Sequence, residues 1–150
     1  AEDNRWHRCD LKTTSLIGNV LMRQRAADLG AVETVMFRDG WLTEASASNV
    51  LVVRAGTIVA PPKDQQILPG ITYDAAIEFA RDAGMPMEIR PVRREEALAA
   101  DEMWLSSSTK EVLAVTTLDG KPFASGVPGP VFRRMYSVFQ RHKPAASRRG

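Results

Sequence analysis

The chain has 150 residues, the length of one ordinary domain with one hydrophobic core. Its composition, 44% hydrophobic and 25% charged, is typical of a soluble globular protein. Cys9 is the single cysteine, which excludes an internal disulfide and favours a reducing compartment, the cytoplasm. No apolar run is long enough to span a membrane, and the polar first residues are unlike a signal peptide.

The net charge of +2 comes from the end of the chain. The last ten residues hold four of the 20 basic residues and no acidic ones, so the remaining 16 face 18 acidic residues. We therefore interpret residues 144–150 as a basic, solvated tail on a domain that spans residues 1–143. Neither nucleic acid nor a membrane is an expected partner.

Hydrophobic periodicity predicts alternating helices and hairpins. Residues 13–29 form a predicted helix, which Thr13 or Thr14 can cap and Gly30 can end. Hairpin turns are predicted where a residue followed by glycine separates two apolar runs, at 39–40, 55–56 and 119–120.

The second half of the chain continues this alternation. A helix is predicted over 71–84, with Thr72 as its N-cap and Gly84 as its stop. The remaining predicted elements are a strand over 87–92, helices over 95–100 and 131–142, and a strand over 102–107. About four helices and seven or eight strands indicate a mixed α/β (α+β) domain with a curled, barrel-like sheet.

The absence of several sequence motifs excludes the corresponding classes of catalytic site. The sequence has no glycine-rich nucleotide loop and no G-x-S-x-G nucleophile motif. The two histidines, His7 and His142, are far apart, and no His/Cys/Asp spacing suits a metal such as zinc.

Three polar segments remain as candidates. ILPGIT (67–72) brings a turn to a helix start, where backbone N–H groups and a hydroxyl bind phosphate well. SSST (106–109) places four hydroxyls at a strand end, and TEASASN (43–49) places Glu44 beside the sheet. Each segment alone is also explained as a capped helix, a serine-rich turn or a surface carboxylate. If Glu44 is buried, it needs a cationic or N–H partner.

Lys12 adds a nucleophile to these segments. It lies in RCDLKTTSLIGN, where a predicted strand meets a predicted helix. A lysine amine forms Schiff bases with carbonyl compounds. Together the four segments describe a site for a phosphate, a cationic ring nitrogen and an aldehyde.

The same segments resemble a known family. RWHRCDLKTTSLIGNVLMRQRA, VMFRDGWLTEASASNVLVV, ILPGIT and LAADEMWLSSSTKEVLAVTTLDGKP occur in the order found in the fold-type IV (class IV) aminotransferases, which depend on pyridoxal 5′-phosphate (PLP). The resemblance runs from about Arg5 to about Arg134 and is strongest to members that act on D-amino acids. It implies the large, C-terminal domain of that fold.

The resemblance also implies roles for nine residues. Lys12 would form the Schiff base and carry the proton during catalysis, and Glu44 would pair with the pyridine nitrogen. The other implied contacts are Leu68 against the ring, Ile71, Thr72, Ser107 and Ser108 on the phosphate, and Ser46 and Ser48 toward cofactor or substrate. Ser108 stands where threonine is common, which keeps the hydroxyl. No role is predicted for Arg5 or Arg8.

The implied function is PLP-dependent transamination of D-amino acids such as D-alanine with 2-oxo acids, by a ping-pong mechanism. Alternatives are another class IV enzyme, a branched-chain aminotransferase or aminodeoxychorismate lyase, or a non-catalytic domain that keeps the fold. The resemblance implies that a small N-terminal domain of the family is absent and that the whole protein is a homodimer. The isolated domain is then expected to bind PLP weakly and to turn over slowly.

Overall fold

The computed structural model describes residues 1–14 and 16–142. Within these ranges the chain forms four helices and nine strands. The helices are α1 (Ile17–Asp28), α2 (Ile71–Asp82), α3 (Arg94–Leu98) and α4 (Pro130–His142). The strands are β1 (Val35–Arg38), β2 (Trp41–Ala45), β3 (Asn49–Arg54), β4 (Thr57–Ala60), β5 (Met87–Ile89), β6 (Glu102–Ser107), β7 (Glu111–Ala114), β8 (Thr117–Leu118) and β9 (Lys121–Pro122).

A five-stranded sheet organises the domain, with the strand order β5-β4-β3-β6-β7. Only β4 and β5 are parallel, because α2 forms the crossover between them, and the other pairs are antiparallel. In the β3–β6 pair, Asn49 lies opposite Ser106 and Leu51 lies opposite Trp104. This register brings the start of β3 beside the end of β6, where both strands meet the candidate site.

The sheet is covered on both faces, and β3 is accordingly apolar at successive positions. Leu51 and Val53 face a core that includes Trp104 and residues of α2 and α4. Val50 and Val52 face a second core with Phe37 and Leu42 of the β1–β2 hairpin. Two packed layers therefore fix β3 and β6, and with them the polar ends of these strands.

The mixed α/β class is confirmed. Within the described residues the strands form one open five-stranded sheet and two small two-stranded sheets, and do not close into the expected barrel. The three predicted hairpins are present as β1–β2, β3–β4 and β8–β9. Both residues of each turn have positive φ, as in the two-residue turns that suit the twist of a hairpin.

Two predicted N-caps are wrong. Helix α1 begins at Ile17 with Leu16 in the N-cap position, not at Thr13 or Thr14. The preceding segment is instead held to the loop before α2, because the N–H of Cys9 donates to the carbonyl of Gln65 at 2.9 Å. The predicted stops of the first two helices are confirmed, since Gly30 and Gly84 both have positive φ.

Helix α2 begins at Ile71, and its N-cap is Gly70 rather than Thr72. A side chain at position 70 would collide with Asn49, whose Oδ1 lies 2.5 Å from the place of an added Cβ. Glycine is therefore required by the close approach of β3, and Thr72 becomes the second residue of the helix. The predicted basic tail, 144–150, lies outside the described residues.

Candidate active site

One open cleft of about 300 Å³ brings the predicted site residues together. It lies where the starts of β3 and α2 meet the end of β6 and the segment before α1. All nine predicted residues line it: Lys12, Glu44, Ser46, Ser48, Leu68, Ile71, Thr72, Ser107 and Ser108. Their implied roles remain predictions, but their convergence from four separate segments is an observed property of the fold.

Lys12 presents a free amine to this cleft. Its side chain is exposed, on the irregular segment that leads into α1. Among the described residues, no hydrogen bond or ion pair engages its ammonium group. A primary amine at the wall of a cleft is positioned to react with an aldehyde or ketone that binds there.

Glu44 is the buried carboxylate of the site, with a residue exposure of 3%. It lies near the end of β2. Its Oε2 accepts hydrogen bonds from the backbone N–H of Leu68 at 3.0 Å and from Asn49 Nδ2 at 3.1 Å. Its Oε1 accepts a hydrogen bond from the Arg5 guanidinium. Three donors therefore hold one carboxylate in a fixed orientation.

The charge of Glu44 is balanced by a buried ionic cluster. Arg5 also forms an ion pair with Asp3 at 2.7 Å, and the Asp3 side chain is fully buried. Arg38 reaches the same carboxylate at 3.2 Å, and Thr43 Oγ1 donates to it at 2.9 Å. Two guanidinium groups and two carboxylates thus neutralise one another beneath the cleft, as buried charges require.

The cluster sets the direction of the pKa shifts. Burial raises the pKa of Glu44, and the Arg5 charge and the Leu68 N–H oppose that rise. Burial alone would also raise the pKa of Asp3, but its bonds with Arg5 lower it to about 2. Burial would lower the pKa of Arg5, but its bonds to Asp3 and the attraction of Glu44 raise it above its ordinary value.

Sequence analysis gave Arg5 no role, yet this residue is the main partner of Glu44. The sequence does indicate that Glu44 has a cationic partner, because a glutamate buried beside a sheet needs one. The sequence offers many arginines, however, and local spacing does not show which of them folds back across 39 positions to reach Glu44. Arg8, the other arginine without a predicted role, lies at the surface, and within the part of the chain that the structure describes its side chain pairs only with Asp10.

The start of α2 lies at one end of the cleft. The carbonyl of Gly70 accepts the first helical hydrogen bond from Asp74, so the N–H groups of 71–73 have no partner within the helix. These groups and the helix dipole favour a negatively charged ligand. Ser107 and Ser108 line the same cleft from the end of β6.

Ser106, which is a candidate from the sequence only as part of the SSST segment, lines the same part of the cleft. It is 1% exposed, and its Oγ has no hydrogen-bond partner among the described residues. It lines the cleft and lies opposite Asn49, whose side chain abuts Gly70. A buried hydroxyl without a partner is costly in a folded protein unless a ligand or water supplies the missing bond.

Ser46 and Ser48 line the cleft, but both hydroxyls already donate to Glu33. The distances to the Glu33 carboxylate are 2.8 Å from Ser46 Oγ and 2.6 Å from Ser48 Oγ. Their oxygens therefore have only lone pairs to offer a substrate. Glu33 itself was not predicted as a site residue.

Comparison with known proteins gives the family. A family model described as amino-transferase class IV matches residues 1–118. The chain belongs to the class IV aminotransferases. The class that was expected from the segments around Lys12, Glu44 and the start of α2 is therefore confirmed.

Individual relatives are similar over most of the chain. D-alanine aminotransferase of Bacillus licheniformis is 38% identical over 140 residues, which is 93% of this chain and 50% of that protein. D-alanine aminotransferase of Listeria innocua is 36% identical over 138 residues, which is 92% of this chain and 48% of that protein. The chain thus spans about half the length of the curated relatives it matches.

Solved structures with the same fold are branched-chain amino acid aminotransferases. The enzyme from Escherichia coli has a TM-score of 0.80 and 28% identity, covering 93% of this chain and 50% of that one. The enzyme from Thermobaculum terrenum, solved in its PLP form, has a TM-score of 0.83 and 26% identity, covering 93% of this chain and 48% of that one.

No helix in the described residues is long and apolar enough to cross a membrane.

Proposed function

We propose that this chain is the PLP-binding domain of an aminotransferase that acts on D-amino acids such as D-alanine, with 2-oxo acids as acceptors. The observation that supports this most strongly is the single cleft that gathers the Lys12 amine, the buried Glu44 carboxylate and the anion-binding start of α2. The D-alanine aminotransferases at 36–38% identity support the choice of substrate.

The described residues fit PLP. The start of α2 and the hydroxyls of Thr72, Ser107 and Ser108 suit its phosphate, and Ser106 offers a buried hydroxyl that still needs a partner. A carboxylate has about four acceptor positions, and three of those on Glu44 are used by Arg5, Asn49 and Leu68. One position on Oε1 remains for the N–H of a protonated pyridine ring.

When bound, PLP supplies an electron-accepting ring that allows the α-proton of an amino acid to leave. Lys12 Nζ is the group in the cleft that could bond to the aldehyde carbon with loss of water. Once the substrate amine has displaced it, the released Nζ could accept that proton. Glu44, kept charged by Arg5, holds a proton on the pyridine nitrogen. Leu68 packs against the ring, and the backbone N–H groups at Ile71 and Thr72 hold the phosphate.

The exposed apolar face of α1 supports a further part of this proposal, which concerns the rest of the whole protein. Ile17, Val20 and Leu21 are 60% or more exposed and lie on one face of α1, and Trp6 is also exposed. An apolar face of this kind is normally covered by other polypeptide. We infer that the family's small N-terminal domain and the second subunit of a homodimer cover it, and that the enzyme works in the cytoplasm.

The choice of amino donor distinguishes this proposal from the branched-chain alternative, which the solved structures also fit. The test measures keto-acid formation from D-alanine and from L-leucine with 2-oxoglutarate, using the full-length protein with PLP. We expect turnover with D-alanine, little with L-leucine, and none after Lys12→Ala. Preference for L-leucine would support the branched-chain alternative, and no turnover with either would leave a domain that only keeps the fold.

A further inference from the structure

A buried carboxylate outside the proposed machinery holds two walls of the cleft together. Glu33 lies just before β1, and its side chain is 2% exposed. It accepts hydrogen bonds from the hydroxyls of Ser46 and Ser48 and from the N–H of Ala47, the last at 2.7 Å. Lys110 Nζ donates to it at 2.7 Å. We call these five residues the Glu33 cluster.

The four donors come from two different loops. Residues 46–48 form the turn between β2 and β3, whereas Lys110 ends the loop between β6 and β7. The backbone N–H of Lys110 also donates to Ser107 Oγ at 3.2 Å. Glu33 thus joins the turn of residues 46–48 on one side of the cleft to the loop that contains Ser107 and Ser108 on the other.

The burial and opposite charges of Glu33 and Lys110 favour a stable ion pair between them. Lys110 is 20% exposed, so its ion pair with Glu33 is shielded from solvent on both sides. Burial would raise the pKa of Glu33, but the bonds from Lys110, Ser48 and Ser46 lower it below its ordinary value. The carboxylate therefore stays charged and satisfies all four donors at neutral pH.

We propose that Glu33 is a positioning residue, which fixes the loop containing Ser107 and Ser108 through Lys110 and thereby sets the affinity of the cleft for the phosphate of PLP. This inference rests on the proposed function, because it takes that loop as part of the phosphate site. Glu33 does not line the cleft, so it acts only through the residues that it holds.

The test compares variants of both members of the ion pair. Glu33→Gln removes the charge and keeps the shape, whereas Lys110→Met removes the ammonium group and keeps the apolar stem. Glu96→Gln is the matched control, because Glu96, on α3, pairs with Arg90 and does not line the cleft. Dissociation constants are measured by absorbance titration for PLP and for pyridoxal, which lacks the phosphate.

Both Glu33→Gln and Lys110→Met are expected to weaken PLP binding roughly tenfold and to change pyridoxal binding by less than about twofold. The double variant should bind PLP no more weakly than whichever single variant has the lower PLP affinity, because both changes remove the same connection. The inference is overturned if PLP affinity matches that of Glu96→Gln, if PLP and pyridoxal weaken equally, or if Glu33→Gln binds PLP more tightly through a released Lys110.

The amide of Ala47 provides a readout that needs no cofactor. Ala47 is an exposed residue, but its N–H donates to a buried carboxylate, so its hydrogen exchange reports on the Glu33 cluster. We expect roughly tenfold faster exchange in both variants and no change in the control. Failure of PLP to react at Lys12 in the full-length protein would refute the proposed function, whereas unchanged Ala47 exchange in both variants would refute the Glu33 inference.

Discussion

Arg5 shows at the scale of one residue how the chemistry of the cleft depends on a group for which the sequence predicts no role. Its guanidinium group connects Glu44 to Asp3, and all three side chains are nearly inaccessible to solvent. Without this cation, Glu44 would have to become neutral or remain as an isolated buried charge. A neutral Glu44 holds a proton on a pyridine nitrogen less well, so the role of Glu44 depends on Arg5.

Replacing Arg5 by methionine should therefore be far more damaging than replacing Arg8. Breaking a buried pair leaves an uncompensated carboxylate, which costs about 3–5 kcal/mol of unfolding free energy. Arg8 pairs at the surface with Asp10, so Arg8→Met should leave stability unchanged. Urea unfolding followed by circular dichroism measures both.

Arg5→Lys serves as the intermediate case, because it keeps the charge and loses the forked geometry. It should recover part of the stability that Arg5→Met loses. Equal stability of Arg5→Met and Arg8→Met would show that the buried cluster does not hold Glu44 in place.

At the scale of one element, α2 is positioned by the strand beside it. Gly70 is its N-cap because the Asn49 side chain occupies the space of a Cβ, and the same Asn49 donates to Glu44 and to the carbonyl of Leu68. The helix start and the buried carboxylate therefore share one neighbour. Their separation is fixed by β3, not by the loop that connects them.

Gly70→Ala should move the start of α2 away from β3. The backbone of Gly70 has a negative φ, so alanine meets no dihedral strain there, and the cost is steric. We expect a loss of about 1–3 kcal/mol in unfolding free energy together with weaker PLP binding.

Gly30→Ala, at the end of α1, is the control for this substitution. Nothing lies within 4 Å of a Cβ added at Gly30, and only its positive φ opposes alanine. This variant should lose stability but keep its affinity for PLP. Unchanged PLP affinity in Gly70→Ala, measured by titration, would contradict the role of the α2 start.

The elements themselves were largely predictable, and the exceptions have physical causes. Glycine-containing turns and apolar alternation indicate hairpins and strands from local chemistry, as at Asp39-Gly40. The predicted N-caps are wrong because long-range contacts determine the N-caps of α1 and α2. The N–H of Cys9 donates a hydrogen bond to the loop before α2, and Asn49 leaves no room for a side chain at position 70. The site residues were predicted by resemblance to a family, whereas Arg5 and Glu33 needed the tertiary structure to reveal their partners.

At the scale of the whole molecule, the buried charges determine how stability depends on pH. The pKa of Asp3 is about 2 in the folded chain and near 3.8 when unfolded. This lowered pKa contributes about 2 kcal/mol at neutral pH, a contribution that is complete above about pH 4 and is lost as pH falls through about 2. Glu33 acts in the same direction, whereas the raised pKa of Glu44 acts in the opposite one.

Asp3→Asn tests this dependence. The variant should be less stable than the parent chain at pH 7, because Arg5 and Arg38 lose their carboxylate. The difference should narrow by about 2 kcal/mol between pH 4 and pH 2, where the parent chain protonates Asp3. Urea unfolding at pH 7, 4, 3 and 2 gives the comparison, and a constant difference across this range would refute the assignment.

The central claim is that Lys12 is the amine with which PLP reacts in this cleft, and trapping the adduct tests it most directly. The chain is mixed with PLP, reduced with borohydride and digested, and the modified lysine is mapped by mass spectrometry. Lys63, an exposed lysine paired with Asp74 outside the cleft, is the internal control. We expect modification at Lys12 well above that at Lys63, and its loss in Lys12→Ala but not in Lys63→Ala. Equal labelling of both lysines, or an adduct that persists at the same level in Lys12→Ala, would contradict the claim.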